Sequence, residues 1–159
     1  MKIVSNSSPL IALAKIEMLD ILRDDIVIPK AVFDEITKPK RDYAKELHGW
    51  GKDKIIEVKN RKAVEYLELI IDGGEAETIV LAEELNADAV LIDDLKARKI
   101  AKLRGLNVIG TIGVLLNAKD KGFISEVKPL LEALTKRKIR ISKELYDHAL
   151  ELAHEVEIK

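Results

Sequence analysis

Residues 73–94 read GGEAETIVLAEELNADAVLIDD, and this stretch decides the fold. Asp72 and the two glycines form a turn, Glu75 to Leu85 follows as a helix, and Ala89-Val90-Leu91-Ile92 is a short apolar strand ending on Asp93-Asp94. A helix leading into a buried strand, with acids where the strand stops, is one unit of a parallel sheet covered by helices.

The same alternation runs outward in both directions. Downstream, Leu95 to Leu103 is a helix closed by Arg104-Gly105, and Asn107-Val108-Ile109 is a strand. Thr111 to Lys121 is the next helix, and two more follow near Glu126 to Thr135 and Lys143 to Glu155. Upstream, Ile3-Val4-Ser5 is the first strand, and Ser8-Pro9 supplies a cap and a proline for the helix LIALAKI. Ile26-Val27-Ile28 is a second strand, followed by helices at Lys30 to Thr37 and Asp42 to Leu47. Ile55 to Val58 reads as an edge strand and Ala63 to Ile71 as a helix. The expected architecture is a three-layer α/β/α fold with a central parallel sheet. With 159 residues and 47% hydrophobic content, one core is expected, so residues 1–159 are read as a single domain.

Composition narrows the function. Charged residues make up 35% of the chain but nearly cancel, leaving a net charge of -1, so any basic surface for nucleic acid must be local. The absence of cysteine excludes disulfides, thiolate metal sites and a cysteine nucleophile. The opening apolar stretch is interrupted by Lys15 and Glu17, lacks a cleavage site and is too short to span a bilayer, which predicts a cytoplasmic protein without a membrane role.

Ligands of open parallel sheets collect beyond the carboxyl ends of the strands. Asn6, Asp93, Asp94 and Thr111 stand at those positions, and Glu35, Glu75 and Glu77 lie on adjoining helices. Clustered carboxylates repel one another, so a divalent cation is their natural partner, and oxygen ligands favour Mg2+ or Mn2+. Such an ion activates water and neutralises charge on a phosphodiester. Helix positions two apart point about 200° away from each other, so one of Glu75 and Glu77 is expected to face the cleft. Glu75 is favoured, because it shares a side with Ile79 and Ala82 while Glu77 shares a wetter one with Leu81 and Glu84. Glu35 is favoured over Asp34 by the same test. The plainer readings are that first-turn acids stabilise the helix dipole and that Asp94 caps the helix at Leu95.

Ser8 is read as a cap rather than a nucleophile, since His48, His148 and His154 all lie away from the strand ends. Basic residues cluster at Lys96 to Arg104 and again at Lys136 to Lys143, either as solvated faces or as phosphate contacts. Trp50 is suited to stacking on a base or covering a subunit contact. A receiver-like phosphoacceptor is disfavoured, because such domains keep their acid pair after the first strand, where Asn6 stands.

The segments VSNSSPLIALAKI (4–16), GGEAETIVLAEELNADAVLIDDLKARKIAKLRGLNVIGTIGVLLNAKDKG (73–122) and EVKPLLEALTKRKIRISKELYDHAL (126–150) together resemble PIN-domain proteins, particularly a prokaryotic branch allied to VapC-type toxins. The succession GEAE, LIDD, GT at this spacing holds most of the likeness. The resemblance implies a metal-dependent ribonuclease with an acidic site, homodimers and, in many relatives, an antitoxin that blocks the site. Carried onto this chain, it places the acidic positions at Asn6, Glu35, Glu75 (with Glu77 as its neighbour) and Asp93 or Asp94, with Ser7 and Thr111 as polar helpers. Asn6 stands where the family pattern expects aspartate. An amide offers a carbonyl oxygen to a metal but brings no charge and cannot act as a base. Two outcomes follow: a weakened nuclease, or a module that binds RNA or protein without cutting.

Overall fold

The computed structural model describes residues 1–156. The last three residues of the expected single-domain span therefore lie outside the described residues. Four strands form one all-parallel sheet, β1 (Lys2–Ser5), β2 (Asp25–Val27), β3 (Ala89–Leu91) and β4 (Val108–Ile109), in the order β2-β1-β3-β4. Ile3 pairs with Ile26 on one side and with Ala89 on the other. The chain winds one way from β1 to β2 and the other way through β3 and β4. The direction changes between β1 and β3, where open parallel sheets form their ligand crevice.

Successive side chains along each strand alternate between two cores, as the two-residue period of a strand requires. Ile3, Ile26, Ala89 and Leu91 face one core, and Val4, Val27, Val90 and Ile92 face the other. The first core is completed by α1 (Ser7–Lys15), α2 (Lys30–Ile36), α3 (Ala44–Gly51), α7 (Thr111–Asp120), α8 (Lys128–Lys136) and α9 (Lys143–Leu152). The second is completed by α4 (Arg61–Leu67), α5 (Gly73–Leu85) and α6 (Leu95–Leu103). The three expected layers are present. No helix among the described residues is long and apolar enough to cross a membrane.

Several boundaries differ from the sequence reading for local reasons. The first helix starts at Ser7 with Asn6 as its cap residue, so Pro9 sits inside the first turn, where its missing N–H costs nothing. The expected strand at 55–58 reduces to a single parallel bridge between Ile28 and Ile55. The third helix starts after Tyr43, which adopts a left-handed conformation, and runs through Trp50 to Gly51 rather than stopping at Leu47. The helix expected to reach Ile71 ends at Leu67, and residues beyond it turn toward Asp72.

Candidate active site at the switch point

Asn6 leaves the sheet at the end of β1, and its backbone N–H donates to the Leu91 carbonyl at 2.9 Å. That bond fixes it beside the end of β3. Its side chain caps nothing, although it stands at the N-terminus of α1, so its amide oxygen is available to the crevice. The oxygen turns toward Gly74, in the first turn of α5. A Cβ built on Gly74 would meet Asn6 Oδ1 at 3.5 Å, Glu35 Oε2 at 3.5 Å and Asp72 Oδ1 at 3.6 Å. The absent side chain of Gly74 thus keeps open a hollow ringed by oxygens from β1, α2 and the turn before α5.

Glu75 borders this ring and is tied into it by a capping box. The Asp72 carboxylate accepts the Glu75 backbone N–H at 2.8 Å, and the Glu75 carboxylate accepts the Asp72 N–H at 3.3 Å. Burial, then the neighbouring charge of Asp72 and, more weakly, that of Asp94, push the Glu75 carboxyl up to about 7. It therefore exchanges its proton near neutrality. Glu35, half-buried at the end of α2, meets Arg41 at 3.4 Å.

Asp93 lies at the end of β3 and is held by both donors of Thr111. The backbone N–H of Thr111 reaches Oδ1 at 2.7 Å and its hydroxyl reaches Oδ2 at 2.5 Å. Thr111 begins α7 directly after β4, which turns both of its donors toward Asp93. Asp94 caps α6 by accepting the Ala97 N–H at 2.9 Å, while its charge still bears on Glu75.

Glu77 departs from its expected place. It is buried at 8% exposure rather than on a wet face. One of its oxygens accepts the Ala31 N–H at 3.1 Å and the other meets Arg61 at 2.9 Å. Both are occupied in joining α5 to α2 and α4, so Glu77 is a structural acid. Ser7 is 2% exposed, and its hydroxyl has no hydrogen-bond partner among the described residues. By sequence Asp72 reads only as a turn residue. The D-x-x-E spacing to Glu75 is the signal that identifies the cap, but its place beside Asn6 and Glu35 depends on the fold.

Glu35, Asp93 and Thr111 open onto a groove of about 480 Å³ that also contains Ser8 and Arg41. A larger hollow of about 630 Å³ reaches Asp93 from the β4 side, but its walls are chiefly apolar and it touches none of Asn6, Glu35 and Glu75. Glu35 joins Asp93 only in the smaller groove, which makes that groove the candidate site.

By chemistry the ring suits a hard divalent cation, since its donors are all oxygens and Gly74 leaves the space between them open. By spacing it is not a closed cage: among the described residues, no three acidic or histidine side chains stand close enough to hold an ion.

A parallel α/β sheet with polar and acidic residues beside its switch point has the layout in which open sheets of this class bind ligands at their carboxyl edge. A family model described as PIN domain matches residues 2–155, and the chain belongs to the PIN-domain family. This is a nuclease fold, and its members generally bind nucleic acid and use divalent metal ions. Searches of curated proteins and of solved structures each returned no match.

Proposed function

We propose that the chain, acting as one domain, is a ribonuclease dependent on Mg2+ or Mn2+, with its rate held down by Asn6. The observation that carries this reading is the ring of Asn6, Glu35 and Asp72 oxygens around Gly74, beside a groove shared by Glu35 and Asp93. Glu35, Asp93 and the Asn6 amide would hold the ion, with Glu75 joining once deprotonated. A bound ion lowers the pKa of water and offsets the charge that develops on the phosphodiester. Thr111 keeps the Asp93 carboxylate fixed, so no reorganisation is required of it when substrate arrives. Glu35 is partly open to solvent at the groove, where attacking water would reach the ion it helps to hold.

Asn6 replaces one negative charge with a neutral oxygen donor, which lowers affinity for a cation. The same residue supports the second reading, a PIN-like module that binds RNA or protein without cutting. By resemblance alone we assign a toxin-like role in the cytoplasm, with homodimers and an antitoxin as partners.

The test is cleavage of RNA by purified protein with Mg2+ or Mn2+. Cleavage that falls at least 100-fold in Asp93→Asn and Glu35→Gln, and rises at least tenfold in Asn6→Asp, supports the proposal. If neither the natural chain nor Asn6→Asp cuts RNA under any of these conditions, the nuclease reading fails and the binding module stands.

A further inference from the structure

The hollow of about 630 Å³ on the β4 side is bounded by β4, α7, α9 and the turn before β2. Asp93 and Gly110, which follow β3 and β4, stand at its carboxyl-edge end, and Arg23 and Asp24, which precede β2, stand at its amino-edge end. Along α7 it runs from Ile112 to Lys121, about 14 Å of helix axis. Met1, Leu95, Phe123, Leu145 and Leu152 line it while being 40–82% exposed, and none of them packs into either core. These five are half of the ten large apolar side chains exposed among the described residues, so unfavourable contact with water is concentrated at this one place.

Charge along the hollow is unevenly paired. At the carboxyl-edge end Asp93 accepts both donors of Thr111, and Arg98 donates to the Ile92 carbonyl. Asp24 meets the amino terminus at 3.9 Å, and His148 on α9 lies 3.9 Å from Glu151. Arg23 and Lys121, both exposed at the amino-edge end, form no ion pair among the described residues. Arg23 instead lies over the Phe123 ring at 4.6 Å, which holds its guanidinium beside the apolar rim. The surplus charge is therefore positive, and it sits at one end.

From this placement we propose that the hollow binds a straight-chain fatty acid, with its carboxylate at Arg23 and Lys121 and its chain running along α7 toward Leu95 and Leu145. A chiefly apolar concavity of this volume with a few polar groups is the form of a small-molecule pocket. Arginine meets a carboxylate with two parallel N–H groups, and the neighbouring ammonium adds charge. The size selects the tail. Spread over about 14 Å, the volume gives a cross-section of about 45 Å², which takes an aliphatic chain but is well below the roughly 80–110 Å² of an α-helix 10–12 Å across. An extended chain advances about 1.3 Å per carbon, given C–C bonds of about 1.5 Å, so about eleven or twelve carbons match the α7 wall. The carboxylate end lies at the amino edge of the sheet, away from Asn6, Glu35 and Glu75, so the ligand binds whether or not the chain cleaves RNA.

The experiment is isothermal titration calorimetry of the full chain with sodium dodecanoate below its micelle-forming concentration. Saturable binding at one site is expected. Octanoate should bind at least tenfold more weakly, because fewer methylenes leave water, and dodecyltrimethylammonium, with the same chain and the opposite charge, at least tenfold more weakly as well. Arg23→Glu/Lys121→Glu should lose at least tenfold in dodecanoate affinity while melting as the natural chain does. Asn117 is exposed on α7 and lines the hollow, so Asn117→Trp fills the groove from outside the cores and should cause a similar loss. Leu69→Ser/Ile70→Ser, at an exposed apolar patch beyond α4, should bind as the natural chain does. Absence of saturable binding, equal binding of octanoate or of the cationic amphiphile, unchanged binding in the Arg23/Lys121 or Asn117 variants, or an equal loss in the Leu69/Ile70 variant would each overturn the proposal. A dimer in sedimentation that Asn117→Trp dissociates, with no dodecanoate binding, would show that a second copy covers this face instead.

Discussion

Gly110 stands at the end of β4, where a Cβ would lie 2.7 Å from Arg98 Nη1 and 2.9 Å from Asp93 Oδ1. Arg98 also donates to the Ile92 carbonyl at 2.8 Å, so neither neighbour moves without breaking a hydrogen bond. Gly110→Ala should displace Asp93 and lower RNA cleavage by about 100-fold, the loss that roughly 1 Å of misplacement produces. Kinetics on the folded variant check this. Glu75 gives a second prediction at the same scale. Its folded carboxyl is raised to about 7 from an ordinary 4.5. A carboxyl raised on folding binds its proton more tightly in the native state. Its stabilising contribution is therefore complete below about 4.5 and is lost as pH rises through about 7. Glu75→Gln keeps the capping geometry and removes the charge. In EDTA it should melt higher than the natural chain at pH 8.5, with the difference shrinking toward pH 5.

At the scale of elements, α5 is held from two directions. The turn before it is closed by the Asp72–Glu75 capping box, and its flank is joined to α2 and α4 through Glu77. Removing an N-cap side chain costs about 1 kcal/mol. Asp72→Ala should therefore lower unfolding free energy by about that amount in urea, and, since the Asp72 charge raises Glu75, should move the Glu75 titration downward. Glu77→Ala leaves the Ala31 N–H without its acceptor and Arg61 without its partner. It should cost about 2 kcal/mol, in the range for losing hydrogen bonds to a charged group. Cleavage per folded molecule should be nearly unchanged, which distinguishes this structural acid from Glu35 and Asp93. Urea denaturation followed by a normalised cleavage assay separates the two effects.

Across the whole molecule, the end of the described chain closes onto the middle. Glu155 accepts the Val127 N–H at 2.8 Å and the Lys128 N–H at 2.9 Å, and pairs with Lys119 at 3.0 Å, binding α7, α8 and the segment after α9 together. Burial opposes its ionisation, but those two N–H groups and Lys119 outweigh it and hold the carboxyl below its ordinary value. A depressed carboxyl stabilises the fold above its unfolded pKa and loses that contribution as pH falls through the folded one. Stability should therefore decline on acidification below about 4.5. Glu155→Gln should start less stable at pH 6 and show a shallower decline, as denaturant titrations at the two pH values would reveal.

The alternation of strands and helices, the parallel sheet and the polar residues at the strand ends are all readable from residue order. Those features arise from periods of a few residues and from turn chemistry, which act locally. Helical spacing puts Glu77 on a wetter face than Glu75, yet both are buried. The partners of Glu77 are Arg61, sixteen positions away, and the Ala31 N–H, forty-six away, and no helical period reveals either. That Asp72 joins Asn6 and Glu35, that Gly110 must lack a side chain, and which basic cluster shares a groove with the acids emerge from packing alone. A side chain's neighbours across a crevice are set by how the β1, β3 and β4 ends are brought together, and that convergence is a property of packing rather than of any single segment.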